Sequence, residues 1–238
     1  MNAVCKREEG VSNHAKSKEF CGKTIEIGSM QNKDFHGFDL SNTTFNMVDL
    51  RGSDFHQAKL KNTAINNCML YAANLNNINL SEVDLTGSIF TPDDFSNDAE
   101  NSLNGISFAN AVLDECEFTE VAAKEVNFSH ADMVSTNFEN GSFINSNFTK
   151  VNALSAFFIN AQLDCAIFDG ATLIHANFSD AKLEKSSFLN VNAVGAIFCG
   201  ANLTGSMVAG ADFTNADFRG ANLTDVDLSS ANTENAKF

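Results

Sequence analysis

The chain has 238 residues and a formal net charge of −15, with one proline, one tyrosine and no tryptophan. A surface this acidic argues against a non-specific nucleic-acid binder, so no direct nucleic-acid contact is expected. No apolar run approaches membrane length and residues 1–19 are too polar for a signal peptide, so the cytoplasm is the default compartment, with a secreted effector as the other candidate.

Residues 1–19 show no clean pattern and are expected to form an N-terminal cap or flexible lead. Large apolar residues then recur every five positions, weakly at Phe20, Ile25 and Met30, and regularly from Phe35 through Leu40, Phe45, Leu50, Phe55 and Leu60 to Phe90. This first block, 20–90, is followed by a break. Phe90 to Leu103 is thirteen residues, and the interval 91–102 holds the only proline and four acids. A protruding acidic loop is expected there, adding either three or eight residues to the path. The second block, 103–238, restores the pattern. Phe118, Phe138, Phe158, Phe178, Phe198, Phe218 and Phe238 recur every twenty residues, beside Phe108, Phe128, Phe148, Phe168 and Phe188. Four five-residue units therefore return to the same side, which is the mark of a solenoid whose coils each touch only their neighbours. These phenylalanines are the expected structural core.

Each unit has a consistent chemistry around its large central residue. Two positions earlier most units have a small residue, as at Ala161, Ala176 and Ala201; one position earlier usually stands Asp, Asn or Ser; two positions later often stands Gly or Asn. A period of five fits neither a helix nor a strand. It fits a chain that turns a corner in every unit, where Gly and Asn tolerate positive φ. Like residues brought into register would stack Phe on Phe.

Ala201–Gly205 (Ala-Asn-Leu-Thr-Gly), Ala211–Asn215 (Ala-Asp-Phe-Thr-Asn), Ala216–Gly220 (Ala-Asp-Phe-Arg-Gly) and Ala221–Asp225 (Ala-Asn-Leu-Thr-Asp) resemble the consensus of the pentapeptide-repeat family. The resemblance runs from about Phe20 to Phe238. It implies an all-β fold, a right-handed quadrilateral β-helix of about ten coils with one interrupting loop. At the usual spacing of stacked strands this is a rod on the order of 50 Å long. A fold alone gives no function.

No catalytic motif, cofactor fingerprint or metal site is found, and an enzyme is not expected. His36 and His56, twenty apart, should stack on one outer face, with no third ligand evident. The six cysteines form no Cys-x-x-Cys pair; Cys68 and Cys116 take the small inward position, and free thiols are expected.

Three surface features suggest protein partners. The first is an acidic zone: residues 82–125 hold eleven acids against Lys124 alone. Its candidate partner surface is Asp93, Asp94, Asp98, Glu100, Asp114, Glu115, Glu117 and Glu120. The second is an outward apolar stripe of Val134, Leu154, Ile174 and Val194, with Phe157 and Ile197 around the adjoining corner. The alternative is that Ala153 and Ala193, small at central positions, mark a local bulge turning the stripe inward. The third is the last coil, whose Phe218 and Phe238 would offer an end-to-end interface in a homodimer.

Two functions follow. One is a non-enzymatic binding protein acting through its solenoid surface. The other comes from the resemblance, because the quinolone-resistance members of the family are acidic DNA mimics that bind DNA gyrase and protect or inhibit it. Loop interruptions and C-terminal dimerisation mark that group. This chain departs from it in having a single loop-like break and no dimerising C-terminal helix.

Overall fold

The computed structural model describes residues 19–75, 78–90 and 103–238. The expected N-terminal lead, except Glu19, and the expected acidic loop at 91–102 lie outside the described residues. No helix occurs among the described residues. Three parallel strands open the fold: β1 (Thr24–Ser29), β2 (Thr44–Asp49) and β3 (Ala64–Asn66). They pair in chain order, with Ile25 against Phe45 and Phe45 against Ile65. From there single-residue parallel bridges continue the ladder, as in Glu117–Asn137–Phe157–Asn177–Ile197–Asp217–Lys237. Each partner lies twenty residues on, so four units complete one coil of a β-helix.

The hydrogen bonding of one unit explains the period. The amide of the central Phe158 donates to the Asn177 carbonyl in the next coil at 2.7 Å, and that of Asn160 donates to Ser179 at 2.9 Å. The Phe157 amide donates back to Thr136 at 2.9 Å, and the Ala161 amide closes the corner on Phe158 at 3.1 Å. The corner requires a left-handed residue two positions after the centre. Gly170, Gly195 and Gly205 supply it without strain. At Gly195 a Cβ would also come within 2.6 Å of the His175 ring in the preceding coil. Many non-glycine residues adopt the same conformation, among them Glu115, Lys150, Cys165 and His175, at φ of 59°, 56°, 59° and 57°. Ladder bonds on both sides hold them there against an intrinsic cost of roughly 1–2 kcal/mol each.

The centres form four columns, named here by position in the coil. The first holds Phe35, Phe55 and Phe143; the second, Phe108 to Phe188; the third, Phe45, Leu113, Met133 and Phe213; the fourth, Phe90 and Phe118 to Phe238. Phe rings stack within columns: Phe158 lies 5.0 Å from Phe138 and 4.6 Å from Phe178, nearly parallel to both. Between columns they meet edge-on, as Phe148 and Phe158 do at 5.8 Å and 89°. This alternation of offset stacks and T-contacts matches the preference of aromatic quadrupoles. The small residues two before the centres are buried beside the rings, including Cys68 and Cys116. Where they carry a hydroxyl, it is satisfied inside: Thr136 Oγ1 donates to the Leu113 carbonyl at 2.7 Å, and Ser88 Oγ to the Ile65 carbonyl at 2.6 Å.

The break between blocks has a definite length. Asn79, Asp84 and Ile89 bridge Ser107, Val112 and Glu117, each twenty-eight residues on. Eight residues are therefore added, not three. Phe90 stacks on Phe118 at 4.5 Å and 5°, so the column continues across the break.

Candidate interaction surface

The position before each centre has a structural use for Asn or Asp. Its side-chain oxygen accepts the amide two residues on, across the centre: Asn137 from Glu139 at 3.0 Å, Asn147 from Thr149 at 2.9 Å, and Asn177 from Ser179 at 3.0 Å. Such local side-chain acceptors satisfy amides that the coil-to-coil ladder leaves over. In the fourth-column ladder Phe157 stands between Asn137 and Asn177. Phe157 and Ile197 have no oxygen to offer the amides of Ile159 and Cys199.

Phe157 points outward and is 41% exposed, and Leu154, three residues earlier on the same corner, is 37% exposed. Val134, Ile174, Val194 and Ile197 are partly exposed. The residues after the third-column centres stack in order, because the amides of Glu115, Ser135, Ser155 and His175 donate to the carbonyls of Val134, Leu154, Ile174 and Val194. The structure thus brings all six stripe residues to one corner, between the third and fourth columns. The ladder runs unbroken past Ala153 and Ala193, which are buried centres, so no bulge turns the stripe inward.

The acidic candidates divide. Asp93, Asp94, Asp98 and Glu100 lie outside the described residues. Asp114 and Glu117 lie on the same corner as the stripe, one coil before it. The Asp114 carboxylate accepts the Val134 amide at 2.7 Å, and Glu117, itself bridged to Ile89 in the coil before, leads through Asn137 to Phe157. Glu115 and Glu120 are exposed left-handed corner residues of that coil. At the far end of the stripe, Asp217 pairs with Arg219 at 2.7 Å, which holds its carboxyl well below the usual range, and the Thr214 hydroxyl lowers that of Asp212.

The remaining candidates are simpler. His36 and His56 stack on the outer surface at 5.2 Å and 11°. Among the described residues no group of three or more His, Cys, Asp or Glu is placed to hold a metal. The described cysteines are free thiols; burial pushes Cys68 up to about 11 and Cys116 up to about 12. Phe218 does not contribute to an exposed end, because Phe238 stacks over it at 5.5 Å and leaves it 2% exposed. Phe238 itself is 62% exposed. Among the described residues no helix is long and apolar enough to cross a membrane.

Eight copies of the family described as Pentapeptide repeats match residues 29–57, 66–91, 102–140, 142–180, 176–208 and 209–238. The chain belongs to the pentapeptide-repeat family. Solved pentapeptide-repeat structures are similar to it at low identity. HetL, from the cyanobacterium Nostoc sp. strain PCC 7120 and involved in heterocyst differentiation regulation, shares 21% identity over 94% of this chain and 92% of its own, with a TM-score of 0.36. QnrB1, a plasmid-mediated fluoroquinolone resistance protein, shares 18% over 90% of this chain and 91% of its own, with a TM-score of 0.38. Rfr23, from the cyanobacterium Cyanothece 51142, shares 20% over 56% of this chain and 90% of its own, with a TM-score of 0.36. No curated protein sequence matches. The Asn or Asp before the centre serves the coil by accepting the amide two residues on, and the apolar residues at 157 and 197, like Ile89, Ile167 and Met207, forgo that bond.

Proposed function

We propose that this pentapeptide-repeat protein is a non-enzymatic interaction module that presents the corner carrying Val134, Leu154, Phe157, Ile174, Val194 and Ile197 to a protein partner. One observation carries the reading: a large aromatic stands outward at Phe157, in a ladder whose neighbouring asparagines cap the backbone. Other exposed apolar side chains, Ile167 and Met207 among them, stand on other faces; at this corner the exposed Leu154 and Phe157 adjoin four partly exposed apolar residues, and a contiguous patch of that kind favours an interface over general solubility. The test is co-purification from cells with tagged wild-type protein and with Phe157→Asn/Ile197→Asn. A specific protein retained by the first and lost by the second supports the reading. Identical retention profiles overturn it.

A second reading is DNA mimicry toward a type II topoisomerase such as DNA gyrase. It is favoured by the exposed Glu115, Glu120 and Glu125, which occupy three successive corners of one coil. A gyrase supercoiling assay with and without a fluoroquinolone tests it, comparing wild type with Asp93, Asp94, Asp98 and Glu100 changed to Ala. Protection or inhibition that the variant lacks supports mimicry; no effect at micromolar protein ends it for that enzyme. The interaction reading extends to self-association through Phe238, which sedimentation of wild type and Phe238→Asp tests.

A further inference from the structure

Resting on the proposed interaction corner, we infer that its occupant is an amphipathic α-helix about thirteen residues or more in length, with lysine or arginine at one end. Two independent features point to this, the charge distribution along the corner and its pitch.

The corner is graded. Its continuous apolar part begins one coil after Asp114, Glu115 and Glu117, which separate it from the exposed Ile89 on the rung below, and its first rung is flanked by Asp132 and Glu139. Residues 111–120 and 131–140 contain no lysine or arginine, so this end carries uncompensated negative charge. Asp114 is fixed in place by the Val134 amide, and Glu117 by its rung in the ladder. At the opposite end cations accompany the acids: Arg219 pairs with Asp217 and Lys237 follows it in the ladder, beside Asp212 and Glu234, so that end is nearly neutral. A partner that matches the corner is therefore apolar along its length and cationic at one end only. Complementarity of that kind fixes register and rejects the reversed orientation.

The pitch selects the shape. Coils rise by about 4.8 Å, so Val134 to Val194 spans roughly 14 Å and Asp114 to Val194 roughly 19 Å. A helix lying along the corner repeats its apolar face every turn, about 5.4 Å, and drifts by only about 2 Å over the three apolar steps. An extended strand repeats a face every two residues, about 6.8 Å, and over the same steps is out of register by more than one coil. Four apolar anchors at helical spacing meet the four rungs, and one further turn brings the cations over Asp114 and Glu117.

The probe is a pair of alanine-based synthetic helices of about sixteen residues. Both carry four leucines on one stripe, and three lysines or three glutamates occupy one terminal turn. Binding to the full-length protein is read by fluorescence anisotropy. The lysine helix is expected to bind at least about tenfold tighter than the glutamate helix. Asp114→Asn/Glu115→Gln/Glu117→Gln, which keeps an oxygen for the Val134 amide, should bring the two affinities together. Phe157→Asn/Ile197→Asn should abolish binding of both. Equal affinities in the wild type, or no binding near 100 µM, overturns the inference. So does lysine-helix binding that depends on the acids but ignores Phe157→Asn/Ile197→Asn, since that marks a purely electrostatic surface. If the helices fail while co-purification still depends on Phe157 and Ile197, the interaction corner stands and only the basic helix falls.

Discussion

The stacked phenylalanines make a graded prediction about stability. Phe158 is fully buried and meets Phe138 and Phe178 face to face at 5.0 and 4.6 Å, and Phe148 and Phe168 edge-on at 5.8 and 5.7 Å. Truncation to alanine removes the transfer free energy of the ring and leaves a cavity between two coils that cannot close without breaking ladder bonds; such changes cost about 3–5 kcal/mol. The lost aromatic pairs, at about 0.5–1.5 kcal/mol each in isolation, place Phe158→Ala at the upper end of that range. Phe238 meets one ring, Phe218 at 5.5 Å, and is mostly exposed, so Phe238→Ala should cost no more than about 1 kcal/mol. Urea titration followed by far-ultraviolet circular dichroism measures both, and Phe158→Leu supplies an intermediate if the alanine variant unfolds outright. A Phe158→Ala loss within about 1 kcal/mol of the Phe238→Ala loss would refute the reasoning, because it would mean that the coils close over the missing ring.

Other consequences are equally open to measurement. Phe157→Asn should leave the midpoint of unfolding unchanged or raise it, since the new side chain caps the Ile159 amide and a net hydrogen bond contributes about 0.5–1.5 kcal/mol; a clear loss of stability would show that Phe157 serves the fold. Cys116 and Cys68, pushed up by burial to about 12 and about 11, should resist an aromatic disulfide reagent at pH 8 while the exposed Cys165 reacts. Because both buried thiols are raised above the unfolded value of about 8.5, their contribution is intact below that pH and is lost as pH rises towards 11–12, so stability should fall on the alkaline side. Asp49 is held down to about 2, first by the Arg51 guanidinium and then by Gln31. Its contribution is present above the unfolded value of about 3.9 and lost as pH falls towards 2; carboxyl titration by NMR should show Asp49 moving up in Arg51→Met.

Much of this was legible in the residues alone. The spacing of Phe118 to Phe238 states the column, and the small residue two before each centre states what packs beside it. Left-handed corners were legible at Gly170 and Asn190 but not at Glu115, Lys150 or His175, where the ladder imposes a conformation that the side chain disfavours. The length of the break was not readable, because three and eight residues restore the period of five equally well; only the bridge from Ile89 to Glu117 distinguishes them. Reading the acids as a block, residues 82–125, hid their relation to the stripe. Counting by twenties puts Asp114 under Val134 and Glu117 two steps under Phe157. The end-on reading of Phe218 failed for the opposite reason: one more coil is enough to bury a ring, and Phe238 supplies it.

The phase-preserving break has a consequence for how such a chain can change its length. Eight residues enter between Phe90 and Leu103, yet Phe90 still lies flat on Phe118. Additions that leave and re-enter at one corner are invisible to every coil beyond it, so that corner is a natural port for foreign sequence. Inside the coils the rule is strict. Removing twenty residues shortens the rod by one storey and leaves every face aligned, whereas removing five turns everything downstream by a quarter. A five-residue deletion between Glu117 and Val134 would carry Leu154 and Phe157 round to another side, away from the carboxylates beneath them. The molecule is a ruler with two units, and only the longer one preserves a surface built across several coils.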